Sequence, residues 1–93
     1  MNLEKYTEVA EILKILAHPV RLCIVDGLIR KGECNVNHMC TNLAIPQSTV
    51  SQHLQKLKSA NIIVGKRVGV EVYYSVSNQK IASFVEFLFK ESI

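Results

Sequence analysis

The chain has 93 residues, of which 48% are hydrophobic and 20% charged, a balance that predicts one globular domain over residues 1–93 and argues against a disordered chain. No apolar run approaches the ~20 residues of a membrane-spanning helix, and the first residues alternate in charge, unlike a signal peptide. Three cysteines favour free thiols over a disulfide framework. We therefore expect a cytoplasmic protein without a membrane partner.

The net charge of +3 is unevenly distributed along the chain. Residues 34–70 contain four basic residues and no Asp or Glu, whereas the remainder has seven basic and eight acidic residues. A polyanion would be attracted to this acid-free segment. Charge alone leaves open a second interpretation, in which the segment is an ordinary solvated basic surface.

Hydrophobic periodicity predicts two helices at the start of the chain. Residues 3–16 form the first, which should end before Pro19 because the residue preceding a proline disfavours helical geometry. Pro19 suits the first turn of the second helix, and Gly32 can cap its end. Apolar residues occupy two stripes of the second helix, so we expect it to be central and its Cys23 to be buried.

The next two helices are predicted on either side of a break. Apolar spacing favours a short helix over residues 36–43, and Pro46 then separates it from a helix over residues 47–60. On that fourth helix, Val50, Leu54 and Leu57 share the predicted core face, and the opposite face is polar.

After Asn61 the hydrophobic period changes from 3.6 to 2. Two strands are predicted over residues 62–67 and 70–76, with a hairpin turn at Gly69, and a last helix over residues 78–92. The predicted order, α-α-α-α-β-β-α, is mainly α with a β-hairpin.

A short helix, a tight turn and a second helix form the helix-turn-helix arrangement, which predicts double-stranded DNA as a partner. Amide, hydroxyl and imidazole side chains on the fourth helix can contact base edges, and lysine or arginine beyond them can contact phosphates. For His53, an internal contact is an equally good interpretation. The predicted DNA-binding residues are Gln47, Ser48, Thr49, Ser51, Gln52, His53, Lys56, Lys66 and Arg67.

Three blocks, residues 17–22, 47–57 and 69–76, resemble the ArsR/SmtB family of small dimeric winged helix-turn-helix repressors, in order and spacing. The resemblance implies a homodimeric repressor on a near-palindromic operator, and not an enzyme. We expect the first and last helices to form the dimer interface, because their apolar faces exceed what one small domain buries. The predicted interface residues are Val9, Leu13, Phe84, Leu88 and Phe89.

The resemblance also implies where a metal would bind in this family. Asn35 and Asn37 stand where the family has two key cysteines, and amides are poor ligands for soft metals. At the second family site, residues 78–80 supply neither carboxylate nor imidazole, and Glu91 remains alone. We therefore expect no metal and no cofactor. Two alternatives stay open: an unorthodox metal site of Cys34, His38 and Cys40, and an interaction module of this fold that no longer binds DNA.

The remaining candidates are cysteines and two residues near Pro19. Cys40 lies on an apolar stripe and is expected in the core, whereas Cys34 is predicted to be the most exposed thiol and a redox site, with Cys40 as its partner. His18 is expected to hydrogen-bond the backbone at the helix junction, and Arg21 to form a surface or interhelix pair.

Overall fold

A computed structural model of the protein describes residues 1–90, over which five helices and three strands follow one another. No helix in these residues is both long and apolar enough to cross a membrane. The elements are α1 (Glu4–Leu16), α2 (Pro19–Lys31), β1 (Cys34–Asn35), α3 (Val36–Leu43), α4 (Gln47–Ser59), β2 (Ile63–Val68), β3 (Glu71–Val76) and α5 (Gln79–Leu88).

The predicted mainly helical fold with a β-hairpin is confirmed, with two differences in its elements. The sheet has a third strand, β1, so the order is α-α-β-α-α-β-β-α. The last helix ends at Leu88 instead of Ser92, and the predicted end falls in residues 91–93, which lie outside the described residues.

Every helix contributes at least one side chain to a single core. The predicted core face of α4 is confirmed, since Val50, Leu54 and Leu57 are all buried. On α3, Met39 is the one buried residue. The other buried hydrophobic side chains among the described residues are Leu16, Ile24, Val25, Leu28, Ile62, Ile63, Ile81 and Val85.

Side chains cap the starts of three helices. The Val20 N–H donates to Nδ1 of His18 at 3.1 Å, which confirms the junction role predicted for this histidine. Asn35 caps α3 and Asn78 caps α5, each with its side-chain oxygen. A cap of this kind stabilises a helix by about 1 kcal/mol.

The three strands form an antiparallel sheet in the order β1-β3-β2. Val68 pairs with Glu71 across a two-residue turn, in which Gly69 has a φ of 66°, a backbone conformation that favours glycine. On the other side of β3, Asn35 pairs with Tyr73. Strand β1 was not predicted, because two residues are too few to show a hydrophobic period. It forms because Cys34 and Asn35 pair with Tyr74 and Tyr73, about forty residues later in the chain.

The exposure expected for two cysteines was wrong. Cys23 is exposed, because it lies on the outward side of α2, opposite the buried Ile24, Val25 and Leu28. Cys34 is half-buried, because β1 pairs with β3 and places this thiol against the core. Cys40 is half-buried and packs against the core, as expected.

Candidate nucleic-acid interface

The turn between α3 and α4 sets the angle of the predicted recognition helix. Ala44 adopts the left-handed conformation (φ 57°), and its N–H donates to the Cys40 carbonyl at 2.8 Å, which ends α3. Pro46 is extended and its carbonyl accepts the Val50 N–H at 3.1 Å, so α4 begins at once. Helices α3 and α4 thereby form the two helices of a helix-turn-helix.

The polar face of α4 lies in solvent. Ser48 and Gln52 are exposed one turn apart, on the side of the helix opposite Val50, Leu54 and Leu57. Within the described residues, neither side chain is engaged in a hydrogen bond, so both are available to an external partner. Of the other predicted contacts on α4, Gln47, Ser51 and Lys56 are also exposed and Thr49 is half-buried.

His53 lies on the inner side of α4, away from this polar face. Its ring centroid is 4.6 Å from that of His18, with the two rings tilted by 51°. Its Nδ1 is buried, as is Nε of Arg21, and neither atom has a hydrogen-bond partner within residues 1–90. Of the two interpretations left open by the sequence, this geometry favours the internal contact.

The same surroundings disfavour a charge on His53. Burial lowers the pKa of this imidazole, and the nearby His18, Arg21 and Lys56 lower it further. His53 is therefore held in the neutral form, which suits a packed position better than a phosphate contact. Arg21, expected in a surface or interhelix pair, is instead half-buried near this imidazole.

The two halves of α4 differ in their electrostatic surroundings. Lys56, in the second half, lines an open cavity of about 530 Å³ between α4 and α1, together with Glu8 and Glu11. These carboxylates offset part of the positive potential there. The first half of α4 has fewer carboxylates beside it, since Gln47 at its start lines a cavity in which Glu71 is the one acidic residue. This half is therefore the part of the helix better suited to a polyanion.

Lys66 and Arg67 are both exposed on β2 but lie on opposite faces of the sheet. Lys66 pairs with Tyr73 and Arg67 with Val72, and directly paired residues share a face while neighbours in a strand alternate. Because the two side chains lie on opposite faces of the sheet, they cannot contact the same phosphate equally well.

A hydrogen-bonded junction joins the wing, which is the β2–β3 hairpin, to the helix-turn-helix. Nδ2 of Asn35 donates to Oε1 of Glu71 at 3.0 Å, and the Tyr73 hydroxyl donates to Oε2 of the same carboxylate at 3.4 Å. Sequence reasoning missed this junction. Asn35, directly before an apolar helix, was recognisable as an N-cap, but its partner Glu71 lies 36 residues away and shows no local signal.

Asn35 thus has a structural role at a position where the family has a metal-binding cysteine. Its oxygen caps α3 by accepting the His38 N–H at 2.8 Å, and its nitrogen holds Glu71. Within residues 1–90, no three side chains of the types His, Cys, Asp and Glu are grouped to hold a metal ion, and this includes Cys34, His38 and Cys40.

Apolar side chains are exposed on the two helices predicted to form the dimer interface. On α1, Val9 and Leu13 are 53% and 47% exposed, and on α5 Phe84 is 40% exposed. Phe89, directly after α5, is also exposed, whereas Leu88 is half-buried. Tyr6 and Phe87 extend these apolar surfaces.

The sequence of the chain is similar to those of known transcriptional regulators. The family model described as "Bacterial regulatory protein, arsR family" matches residues 18–64. The transcriptional repressor PagR of Bacillus anthracis is 43% identical over 79 residues, which are 85% of this chain and 79% of PagR. The biofilm growth-associated repressor of Agrobacterium fabrum is 37% identical over 86 residues, 92% of this chain and 73% of that repressor.

Solved structures agree with this assignment. The crystal structure of PagR matches with a TM-score of 0.84 at 39% identity, covering 94% of this chain and 99% of that one. The homodimeric winged helix-turn-helix DNA-binding domain from Mycobacterium bovis, determined by NMR, matches with a TM-score of 0.82 at 31% identity. The match covers 89% of this chain and 76% of that domain. These proteins are regulators, which confirms the expectation that the chain is not an enzyme. The chain belongs to the ArsR family of winged helix-turn-helix transcriptional regulators.

Proposed function

We propose that this regulator is a cytoplasmic homodimeric repressor that places α4 in the DNA major groove at a near-palindromic operator. The observation that carries the proposal is the exposed, unengaged pair Ser48 and Gln52 on a helix whose opposite face is fully buried. A rigid helix with free amide and hydroxyl groups can discriminate bases, because it loses little entropy when those groups bind. The relatives named as repressors support the same conclusion.

Within the proposed interface, the residues have different tasks. Ser48 and Gln52 contact base edges, while Gln47, Thr49 and Ser51 at the start of α4 contact phosphates or neighbouring bases. Arg67 and Lys66 contact phosphates from the two faces of the wing, and Lys56 adds positive potential beyond them. His53 is not among the proposed DNA contacts, because its ring packs against His18 on the inner side of α4.

The dimer is proposed to form through the apolar surfaces of α1 and α5, with Val9, Leu13, Phe84, Leu88 and Phe89 in the contact. The homodimeric state of the related domain from Mycobacterium bovis supports this arrangement. Pairing removes exposed apolar surface from water, which is favourable by roughly 25 cal/mol per Å². Two recognition helices can then address successive major grooves, about 34 Å apart.

We propose that DNA binding does not depend on either of the metal sites known in the family. Asn35 supports this, because both ends of its side chain are already hydrogen-bonded to protein groups. The cysteines are free of disulfides within the described residues, so a signal acting on a thiol is compatible with the same fold.

The test is the salt dependence of binding to operator DNA, selected from a random duplex library with the purified protein. Wild type should bind with a steep negative slope of log affinity against log salt, since phosphate contacts release counterions. Replacing Lys66 and Arg67 together by Ala should reduce that slope by about one for each lost contact.

Lys80→Ala is the matched control, because this exposed lysine lies in the first turn of α5, outside the acid-free segment. It should leave the slope unchanged. Failure of the wild-type protein to enrich any duplex sequence would contradict the proposed function and favour an interaction module of the same fold.

A further inference from the structure

Two of the three cysteines lie in one small cavity between α2 and α3. The cavity has a volume of about 110 Å³ and is bordered by Cys23 and Cys34. Its buried walls are Ile24, Leu28 and Met39, while Cys23, Arg30 and Lys31 are exposed at its opening. A water molecule occupies about 30 Å³ of liquid, so this space accepts a small organic group and excludes a peptide or a nucleotide.

The charges at the opening of the cavity favour an anionic ligand. Arg30 is engaged by Asp26, with Nη2 and Oδ2 2.9 Å apart. Lys31 has no ion pair within the described residues, and its charge reaches the cavity, where it acts to lower the pKa of Cys34. A small molecule with an acidic group and an apolar body would thus meet a cation outside and aliphatic side chains inside.

The two thiols differ in their suitability as a nucleophile. Burial raises the pKa of the Cys34 thiol, an effect larger than the opposing effect of Lys31, so this sulfur stays protonated. Cys23 is exposed on the surface of α2, and an incoming reagent reaches it first. Because the thiolate is the attacking species in thiol–disulfide exchange, Cys23 is the better placed of the two.

We propose that this cavity is a modification site, in which Cys23 forms a mixed disulfide with small anionic disulfides. The Cys23 thiolate attacks one sulfur of the reagent, a new S–S bond forms, and the reagent's own S–S bond breaks. The other half leaves as a thiolate with the electron pair. Cys23 is oxidised to the disulfide level and the leaving sulfur is reduced.

Modification should act on DNA binding through α3, a consequence that rests on the proposed function. Met39 is the one buried side chain of α3, and it forms part of the cavity wall. A group attached to Cys23 and seated in the cavity therefore presses on the residue that anchors α3 to the core. Since α3 and α4 pack together in the helix-turn-helix, displacement of α3 changes the position of the recognition helix.

The experiment measures thiol reactivity with 5,5′-dithiobis(2-nitrobenzoate), a disulfide with a carboxylate on each half, by the absorbance of the released thiolate. Wild type should show one fast phase, absent in Cys23→Ser and retained in Cys34→Ser. Lys31→Gln should slow this phase about threefold or more, as loss of an attracting charge does. The same variant should react like wild type with the neutral 4,4′-dithiodipyridine, which controls for a change in exposure.

Peptide mapping should place the label on Cys23, and operator binding by labelled wild type should weaken about fivefold or more, as for an allosteric ligand. A label on Cys34 or Cys40, or equal effects of Lys31→Gln on both reagents, would overturn the site. Labelled protein that binds the operator like unlabelled protein would overturn the coupling to α3. Failure of unlabelled protein to bind any duplex would instead count against the proposed function, because the reactivity measurements need no DNA.

Discussion

Asn35 and Glu71 are joined by a hydrogen bond of 3.0 Å that connects the first residue before α3 to the first residue of β3. The same asparagine accepts the His38 N–H through its oxygen, so one side chain both starts a helix of the helix-turn-helix and holds the wing. The carboxylate is held a second time by the Tyr73 hydroxyl. The Asn35 side chain therefore links the wing to the helix-turn-helix, in addition to the pairing of β1 with β3.

Two substitutions separate the tasks of Asn35. Asn35→Ser retains a good N-cap but is too short to reach Glu71, so stability should stay within about 0.5 kcal/mol while operator affinity falls. Asn35→Ala loses the cap as well, and its free energy of unfolding should drop by about 1 kcal/mol. Urea unfolding and fluorescence anisotropy with labelled operator measure the two effects. Wild-type affinity in the serine variant would show that the bond does not position the wing.

Gln52→Ala should reduce discrimination between operator and random DNA. The lost base contact should cost about 1–3 kcal/mol on operator and much less on random sequence. Stability should change by less than about 0.5 kcal/mol, because Gln52 is exposed. Gln55→Ala is the control, since it removes the same type of exposed side chain from the half of α4 that lies beside α1. An equal loss on both DNAs would mean that Gln52 does not read a base.

The dimer interface is best tested at Leu13, because it is exposed in the protomer whereas Leu88 is half-buried and its loss would also affect folding. Leu13→Glu should weaken dimerisation by several kcal/mol if the carboxylate becomes buried without a partner. Thr7→Glu adds the same charge on a different side of α1 and should leave the dimer intact. Analytical ultracentrifugation measures both. A dimeric Leu13→Glu variant would place the interface elsewhere.

His53 makes stability depend on pH. Its pKa is lowered in the folded protein, so between that value and the ordinary histidine pKa of about 6.5 the unfolded chain binds more protons. The free energy of unfolding should therefore fall as the pH drops below about 6.5, with no contribution from this group above it. Urea unfolding at a series of pH values should show a smaller decline in His53→Gln.

The exposed His38 offers the control for that measurement, since His38→Gln removes a histidine without a buried ring contact. Its pH profile should follow wild type. His18 packs against His53, so His18→Gln is measured alongside. A decline that is identical in wild type and His53→Gln would assign the pH dependence to other groups.

Local sequence was sufficient for the elements whose pattern repeats over several turns. The alternation of Val50, Leu54 and Leu57 with polar residues defined both faces of α4, and burial confirmed them. Pro19 marked the start of α2, and Gly69 marked the turn of the wing. In each case the information is carried by neighbouring residues, because helix period, proline geometry and a positive φ are local properties of the backbone.

Contacts between distant segments decided the rest. Cys34 is half-buried because β1 pairs with a strand that follows some forty residues later, and Cys23 is exposed because it lies on the side of α2 opposite the buried Ile24, Val25 and Leu28. For His53, the sequence left a DNA contact and an internal contact equally open, and the fold places its ring 4.6 Å from that of His18, which favours the internal contact. A side chain's burial depends on which elements meet, and packing between elements is a tertiary property that no local periodicity contains.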